Sequence, residues 1–194
     1  MSDPSLAAQF AFARSLDATL DTVWQALARG VGDRRAPERH PTLATVGTDD
    51  TPQMRTVVLR AADRTASTLD IHTDVQSRKV AELARQPRCM LHVWNPKLKL
   101  QMRIAADAKT LTGDAVAPIW SRVPDASRYA YGGTPYPGQP IDAPEDFMSE
   151  VDVNRFAVLR MTLTSIETLC LAPDRHYRAV FSAADNWAGG WVAP

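Results

Sequence analysis

From Lys97 to Leu111 the chain reads KLKLQMRIAADAKTL. Leu98, Leu100, Met102 and Ile104 occupy alternate positions, and Lys99, Gln101 and Arg103 lie between them. A period of two places successive side chains on opposite faces of a strand. This stretch therefore predicts a strand with one apolar face and one polar face. Similar stretches surround it: TLATVG (42–47), QMRTVVLRAAD (53–63), STLDIHT (67–73) and RCMLHVW (88–94) before it, RFAVLRMTLTSIETLCLA (155–172) after it, and HYRAVF near the end of the chain. In the third of these, Leu69 and Ile71 share one face, Asp70 and His72 the other.

Helical patterning is confined to a few places. In SDPSLAAQFAFARSLDATLDTVWQALARG (2–30), Ser2 or Asp3 can cap and Pro4 suits a first turn. Leu6, Phe10, Leu16, Leu20, Val23, Trp24 and Leu27 recur at roughly helical spacing, and Gly30 can close the helix. The reading is one long helix with room for an interruption. Val80, Leu83 and Ala84 fit a helix of about three turns that Pro87 stops. A short helix is expected at 114–122. Residues 124–147 hold five prolines and three glycines, and a long irregular segment of this kind is more often functional or interfacial than idle. Many strands with few helices indicate a β-barrel or α+β domain, since a doubly wound sheet would alternate strand and helix. The expected organisation is a single domain over 1–194: an N-terminal helix (1–30), a barrel core (40–172) and a C-terminal segment (173–194).

Charge narrows the function. The 194 residues include 22 Lys plus Arg and 22 Asp plus Glu. That balance argues against general nucleic-acid or membrane-surface binding, which needs excess positive charge. Any anion site must be a local cluster. Cys89 and Cys170 lie in apolar runs, which points to buried thiols and not a disulfide. No C-x-x-C pair occurs and the four histidines are scattered, so no metal spacing is present. No apolar stretch approaches the roughly 20 residues that span a bilayer, and Asp3 stands where a leader would be basic. A cytoplasmic location is expected.

The local cluster is found in HTDVQSRKVAEL (72–83), where Ser77, Arg78 and Lys79 crowd the start of the predicted helix. Cations are disfavoured in a first turn, by about 0.3–1 kcal/mol each. A hydroxyl, two cations and free helical N–H groups together suit a phosphate. A plain solvated helix face is the alternative. Arg55 lies within an apolar strand beside Met54 and Val57-Val58-Leu59, where a cation usually has a partner or faces a ligand. Arg60 ends the same run. Alternation puts Arg55 and Arg60 on opposite faces, so they serve different groups. Gln101 can both donate and accept, which suits the edge of a heterocycle. His72 and His92 read as structural. No G-x-G-x-x-G, P-loop or G-x-S-x-G pattern occurs.

RTVVLR (55–60), HTDVQSRK (72–79) and QMRIAADA (101–108), in this order and spacing, resemble the pyridoxamine 5'-phosphate oxidase family of FMN-binding split barrels. The likeness is clearest over about residues 40–110. It implies an α+β fold built on a six-stranded antiparallel split β-barrel with flanking helices, and a homodimer with FMN between subunits. It places Arg55, Arg78 and Lys79, with Ser77, at the FMN phosphate, and Thr56, Val57 and Val58 along the flavin ring. His72 and Thr73 stand beside the cofactor, where the family has an aromatic residue and a threonine. Gln101 matches the glutamine on the flavin, and Arg178 the arginine reaching FMN from the partner subunit. Leu169 stands where the family has a tryptophan.

Departures gather where substrate would bind. Arg60 replaces a lysine, and Pro118 stands near an expected tyrosine. The family's C-terminal Arg-Leu-His is not recognisable in APDRHYR. Arg60, Arg122 and Ser127 remain as an anionic-substrate pocket, and arginine does not reproduce lysine's geometry at a phosphate. The resemblance thus implies an FMN-dependent oxidoreductase acting on a small anionic molecule, with no side chain assigned to proton transfer and no metal. An FMN carrier or sensor without turnover is the alternative, and a haem-binding relative using His72 or His176 is a third.

Overall fold

The computed structural model describes residues 8–194. The proposed caps at Ser2, Asp3 and Pro4, and Leu6, lie outside the described residues. The N-terminal helical region is interrupted. A 3-10 turn at Ala11–Arg14 is followed by helix α1, Leu16–Gly32. Ser15 between them is extended (φ −128°, ψ 133°), and its hydroxyl accepts from the Ala18 amide at 3.3 Å. A residue whose oxygen caps a helix takes a non-helical backbone, so the sequence restarts the helix there. Gly30 does not end α1. A Cβ at Gly30 would meet Glu38 backbone and side-chain carbon at 2.8 Å, so the residue permits a close crossing of the following loop.

Among the described residues nine strands form one antiparallel sheet, three more than expected. They are β1 (Thr42–Val46), β2 (Pro52–Thr56), β3 (Leu59–Asp63), β4 (Thr68–Asp74), β5 (Arg88–Asn95), β6 (Leu100–Leu111), β7 (Phe156–Leu171), β8 (His176–Ser182) and β9 (Gly190–Val192). Part of the excess comes from QMRTVVLRAAD, which makes two strands. β2 pairs with β1 and β3 with β4, so the chain changes partner at Val57-Val58. The Val57 amide donates to Pro41 O at 3.0 Å across this step. β8 and β9 supply the rest. The order is β2-β1-β5-β6-β7-β4-β3, with β8 also on β7 and β9 on β8.

The sixteen-residue β7 borders three strands: β4 along nearly its first half, β6 along most of its length and β8 along nearly its last half. Leu43, Leu69, Ile71, Leu91, Leu100, Met102, Ile104 and Leu159 fill the barrel interior at 0–1% exposure. Val23 and Leu27 of α1 join that core, and the helix lies against β3. A smaller apolar cluster of Val116, Val123, Tyr131, Phe156 and Val158 sits at the start of β7. Helix α2 (Arg78–Arg85) is eight residues, shorter than three turns. Its buried face includes Glu82, and Ala84 is exposed. The expected helix at 114–122 is reduced to α3, Ala117–Trp120, behind a 3-10 turn, and α4 spans Asp125–Arg128. Both cysteines are buried and free, and burial pushes the thiol of Cys89 up to about 12 and that of Cys170 to about 11.

Candidate functional site

The turn between β4 and α2 gathers donors. Ser77 occupies the N-cap position of α2 but its hydroxyl caps nothing. It lies 2.9 Å from the Thr73 hydroxyl, and Lys79 Nζ donates to both, at 2.9 Å to Thr73 and 3.1 Å to Ser77. Burial lowers the Lys79 pKa, and the positive charge of Arg55 adds to that effect against Glu82 and Asp74. From β2, Arg55 Nη2 bonds Glu82 Oε2 of α2 at 2.7 Å and Nη1 bonds the Thr45 hydroxyl. That hydroxyl donates to the same Glu82 oxygen at 2.6 Å. One ammonium, one guanidinium and two hydroxyls thus cluster where strand meets helix, a donor set suited to a dianionic phosphate.

Arg78 does not join them. It is exposed and donates to Gly138 O at 3.1 Å, while Gly138 (φ +86°) approaches so closely that a Cβ would meet Arg78 Nε at 3.0 Å. Consecutive helical residues point about 100° apart, so Arg78 and Lys79 cannot both face β4. Two of the three expected phosphate cations converge, and the third turns toward the irregular segment. Of the other expected cofactor residues, Thr56 ends β2 and is exposed, Val57 is buried, and Val58 is half-buried.

A second cationic place lies on the other face of β4. A cavity of about 440 Å³ is lined by Arg39, Arg60, His72, Asp70, Arg122 and Arg160, among others. Arg60 Nε is buried with no hydrogen-bond partner among the described residues. Asp70 is gripped by Arg160 through two bonds, Nε at 3.0 Å and Nη2 at 2.8 Å. Arg39 Nη1 is fixed to Val31 O at 2.5 Å at the end of α1. Burial raises the Tyr131 hydroxyl pKa, with the charge and hydrogen bonding of Arg60 working against it. Arg60 and Arg122 thus come together as expected, whereas Ser127 does not line the cavity. Alternation along β4 holds in the way the sequence predicts, since Thr73 faces the donor cluster and His72 the cavity.

His72 packs edge-on against Phe156, with ring centroids 5.0 Å apart. Burial and the charge of Arg60 push its pKa down to about 4, against the pull of Asp70. A histidine depressed on folding binds more protons when unfolded between its two pKa values. Stability therefore rises with pH across that window and is lost as pH falls from about 6.5 toward 4. The wild type is expected to lose urea stability over this range, and His72→Phe is expected to lose measurably less. Equal slopes in the two proteins would refute the burial of a neutral imidazole.

The remaining expected residues lie on the outer face of the barrel. Gln101 of β6 pairs with Leu169 of β7, which pairs with Arg178 of β8, so the three form one transverse row. Arg178 is engaged by Glu167 at 2.6 Å, and Arg103 bonds the same carboxylate at 3.1 Å. Thr73 pairs with Ala157, twelve residues before Leu169 on the same strand. At about 3.3 Å per residue that is roughly 40 Å of strand between the donor cluster and this row.

Sequence reasoning missed the acidic partners. Glu82, Asp70, Asp74 and Glu167 each hold an arginine, Arg55, Arg160, Arg155 and Arg178 respectively. Arg160, inside FAVLRMTL, carries the same signal that drew attention to Arg55, a cation in an apolar strand.

Residues 21–112 match the family described as "Pyridoxamine 5'-phosphate oxidase, FMN-binding domain". A pyridoxine/pyridoxamine 5'-phosphate oxidase of Thermosynechococcus vestitus (strain NIES-2133 / IAM M-273 / BP-1) is 28% identical over 153 residues, 79% of this chain and 62% of that protein. The chain spans less than two thirds of the length of the curated relatives it matches first. A solved structure of a pyridoxamine 5'-phosphate oxidase-related, FMN binding protein from Nostoc punctiforme PCC 73102 superimposes with a TM-score of 0.72 at 25% identity, covering 90% of this chain and 96% of that one. PhzG from Burkholderia lata 383 shares the fold, with a TM-score of 0.70 at 19% identity and 92% of each chain covered.

Proposed function

Because the chain belongs to the pyridoxamine 5'-phosphate oxidase-like FMN-binding family, we propose that it is an FMN-dependent oxidoreductase whose substrate is a small organic anion. One observation carries the choice of an enzyme over a carrier. A second cationic cavity, with Arg60 and Arg122, opens on β4 one residue from Thr73 of the donor cluster. A protein that only stores a cofactor has no use for it.

Lys79, Ser77, Thr73 and Arg55 fit the cofactor's phosphate, with Glu82 and Thr45 holding the Arg55 guanidinium in place. Arg78, at the mouth of the same turn, adds a longer-range charge. Thr56, Val57 and Val58 offer backbone along the ring where the chain passes from β2 to β3. Bound FMN supplies the redox chemistry. Arg60 and Arg122 anchor the substrate's anionic group, and neutral His72 gives the cavity a hydrogen-bonding wall without a further charge.

Gln101 and Arg178 are too far along β7 to touch a mononucleotide held at Lys79 of the same chain. They serve the cofactor of a second copy, which makes the functional unit a homodimer with each FMN between subunits. Sedimentation of the FMN-loaded protein tests this.

Lys79→Ala is expected to weaken FMN binding by roughly 1.5–3 kcal/mol, the value of hydrogen bonds to a charged group. Flavin fluorescence titration measures it, and unchanged affinity would remove Lys79 from the phosphate site. Turnover is tested by following the 450-nm-region flavin band (about 450 nm, where oxidised flavins absorb and reduced ones do not, consistent with the cofactor's redox role) with candidate anionic donors. A band that no donor bleaches would favour the carrier.

A further inference from the structure

Four guanidiniums, from Arg39, Arg60, Arg122 and Arg160, line the cavity on the His72 face of β4, and the acid among the lining residues is Asp70. Asp70 is committed to Arg160 through a two-bond pair. His72 remains neutral down to about pH 4 and adds no charge at physiological pH. Three cations are therefore left without a carboxylate of the cavity wall. Arg39 is not free to swing out, because Nη1 is held at the carbonyl end of α1 by Val31 O and, at 3.4 Å, by Gly30 O. A guanidinium has five N–H donors, so the clamp leaves others for a ligand. Burial lowers the Arg39 pKa, and the positive charges of Arg60 and Arg34 lower it further.

The proposed substrate site uses Arg60 and Arg122 for one anionic group. A single carboxylate there would leave the clamped Arg39 uncompensated. The cavity of about 440 Å³ is also far roomier than one oxyanion needs and lies within the usual range for small-molecule sites. We propose that the cavity takes a small organic molecule carrying two separate anionic groups, one met by Arg60 and Arg122 and the other by Arg39. This rests on the reading of the cavity as the substrate site, and it makes Arg39 a specificity-determining residue. Two carboxylates, or a carboxylate and a phosphate, share this chemistry.

The test is calorimetric titration of the FMN-loaded protein at low ionic strength with benzoate, with isophthalate, which differs by one added carboxylate, and with phenyl phosphate bearing a carboxylate at the 3-position. Isophthalate is expected to bind at least about tenfold more tightly than benzoate, since a close charge pair is commonly worth a factor of ten or more. The carboxylate-phosphate probe distinguishes the two sources by whichever binds tighter. Arg39→Gln is expected to abolish the preference while leaving benzoate affinity within about twofold, with Arg39→Lys keeping part of it. Equal affinity of benzoate and isophthalate in the wild type overturns the proposal, with no variant needed. Benzoate binding that Arg122→Gln weakens would then still support the substrate site with one anionic group. If none of the three probes binds, the substrate-site reading falls with the proposal.

Discussion

Arg55→Met is expected to destabilise the protein by about 3–5 kcal/mol, the usual consequence of removing one partner of a buried ion pair. The Glu82 side chain is only 5% exposed and that of Arg55 22%. Without the guanidinium, the carboxylate keeps only the Thr45 hydroxyl as a side-chain partner. Urea denaturation of the FMN-free protein measures the loss. The double variant Arg55→Met, Glu82→Met is expected to recover most of it, because a buried pair replaced by apolar groups is often neutral. FMN affinity should stay low in both variants, since neither has the cation. A double variant as unstable as the single one would mean that the ion pair is not what holds α2 to β1 and β2. Recovered FMN affinity in the double variant would mean that Arg55 acts only through Glu82.

Asp74→Ala is the second large effect, again about 3–5 kcal/mol. Asp74 ends β4 and is buried. Its Oδ1 accepts from Arg155 Nε at 2.9 Å and from the Gln76 amide at 2.8 Å, and its Oδ2 meets Arg155 Nη2 at 2.7 Å and the Gly132 amide at 3.1 Å. Arg155 has 10% of its side chain exposed and stacks over Tyr136. Removing the carboxylate strands a guanidinium and frees both ends of the 132–155 segment from β4. Hydrogen exchange should rise at the Gly132 and Gln76 amides before it rises in the barrel. Asp74→Asn keeps one acceptor oxygen, for either the Gln76 or the Gly132 amide, and should lose less. Equal losses for Ala and Asn would show that the charge paired with Arg155, and not the hydrogen bonds to the amides, closes the segment.

The strands were legible because their period of two extends over enough residues to outweigh local exceptions. Leu98 to Ile104 and Leu69 to Ile71 fall on the core side as read, with the strand beginning at Leu100. The break at Val57-Val58 was not legible, because a change of sheet partner leaves the apolar pattern intact. Gly30 was misread as a helix end because a glycine required by a close crossing looks the same in one dimension as a glycine required by a turn. At the site, the hydroxyls and cations of Thr73, Ser77 and Lys79 were visible as types crowded into seven residues. Their acidic partners were not. Glu82 lies four residues after Arg78 on a helix, where a carboxylate ordinarily meets water, and only the arrival of Arg55 from β2 explains its burial. The direction taken by Arg78 depends likewise on Gly138, sixty positions away.

The shared border β7 sets limits on how relatives of this chain could diverge. Phe156 and Ala157 lie beside the β4 end, Arg160 lines the cationic cavity, and Glu167 holds the outer-face arginines. Adding or deleting one residue in this strand would invert every later side chain, turning Ile166 and Cys170 outward and Glu167 into the barrel. Such changes would be lethal to three strand pairings at once. A one-residue change in the proline-rich stretch before Phe156 inverts no strand, because that stretch lies outside the sheet and loops tolerate insertions.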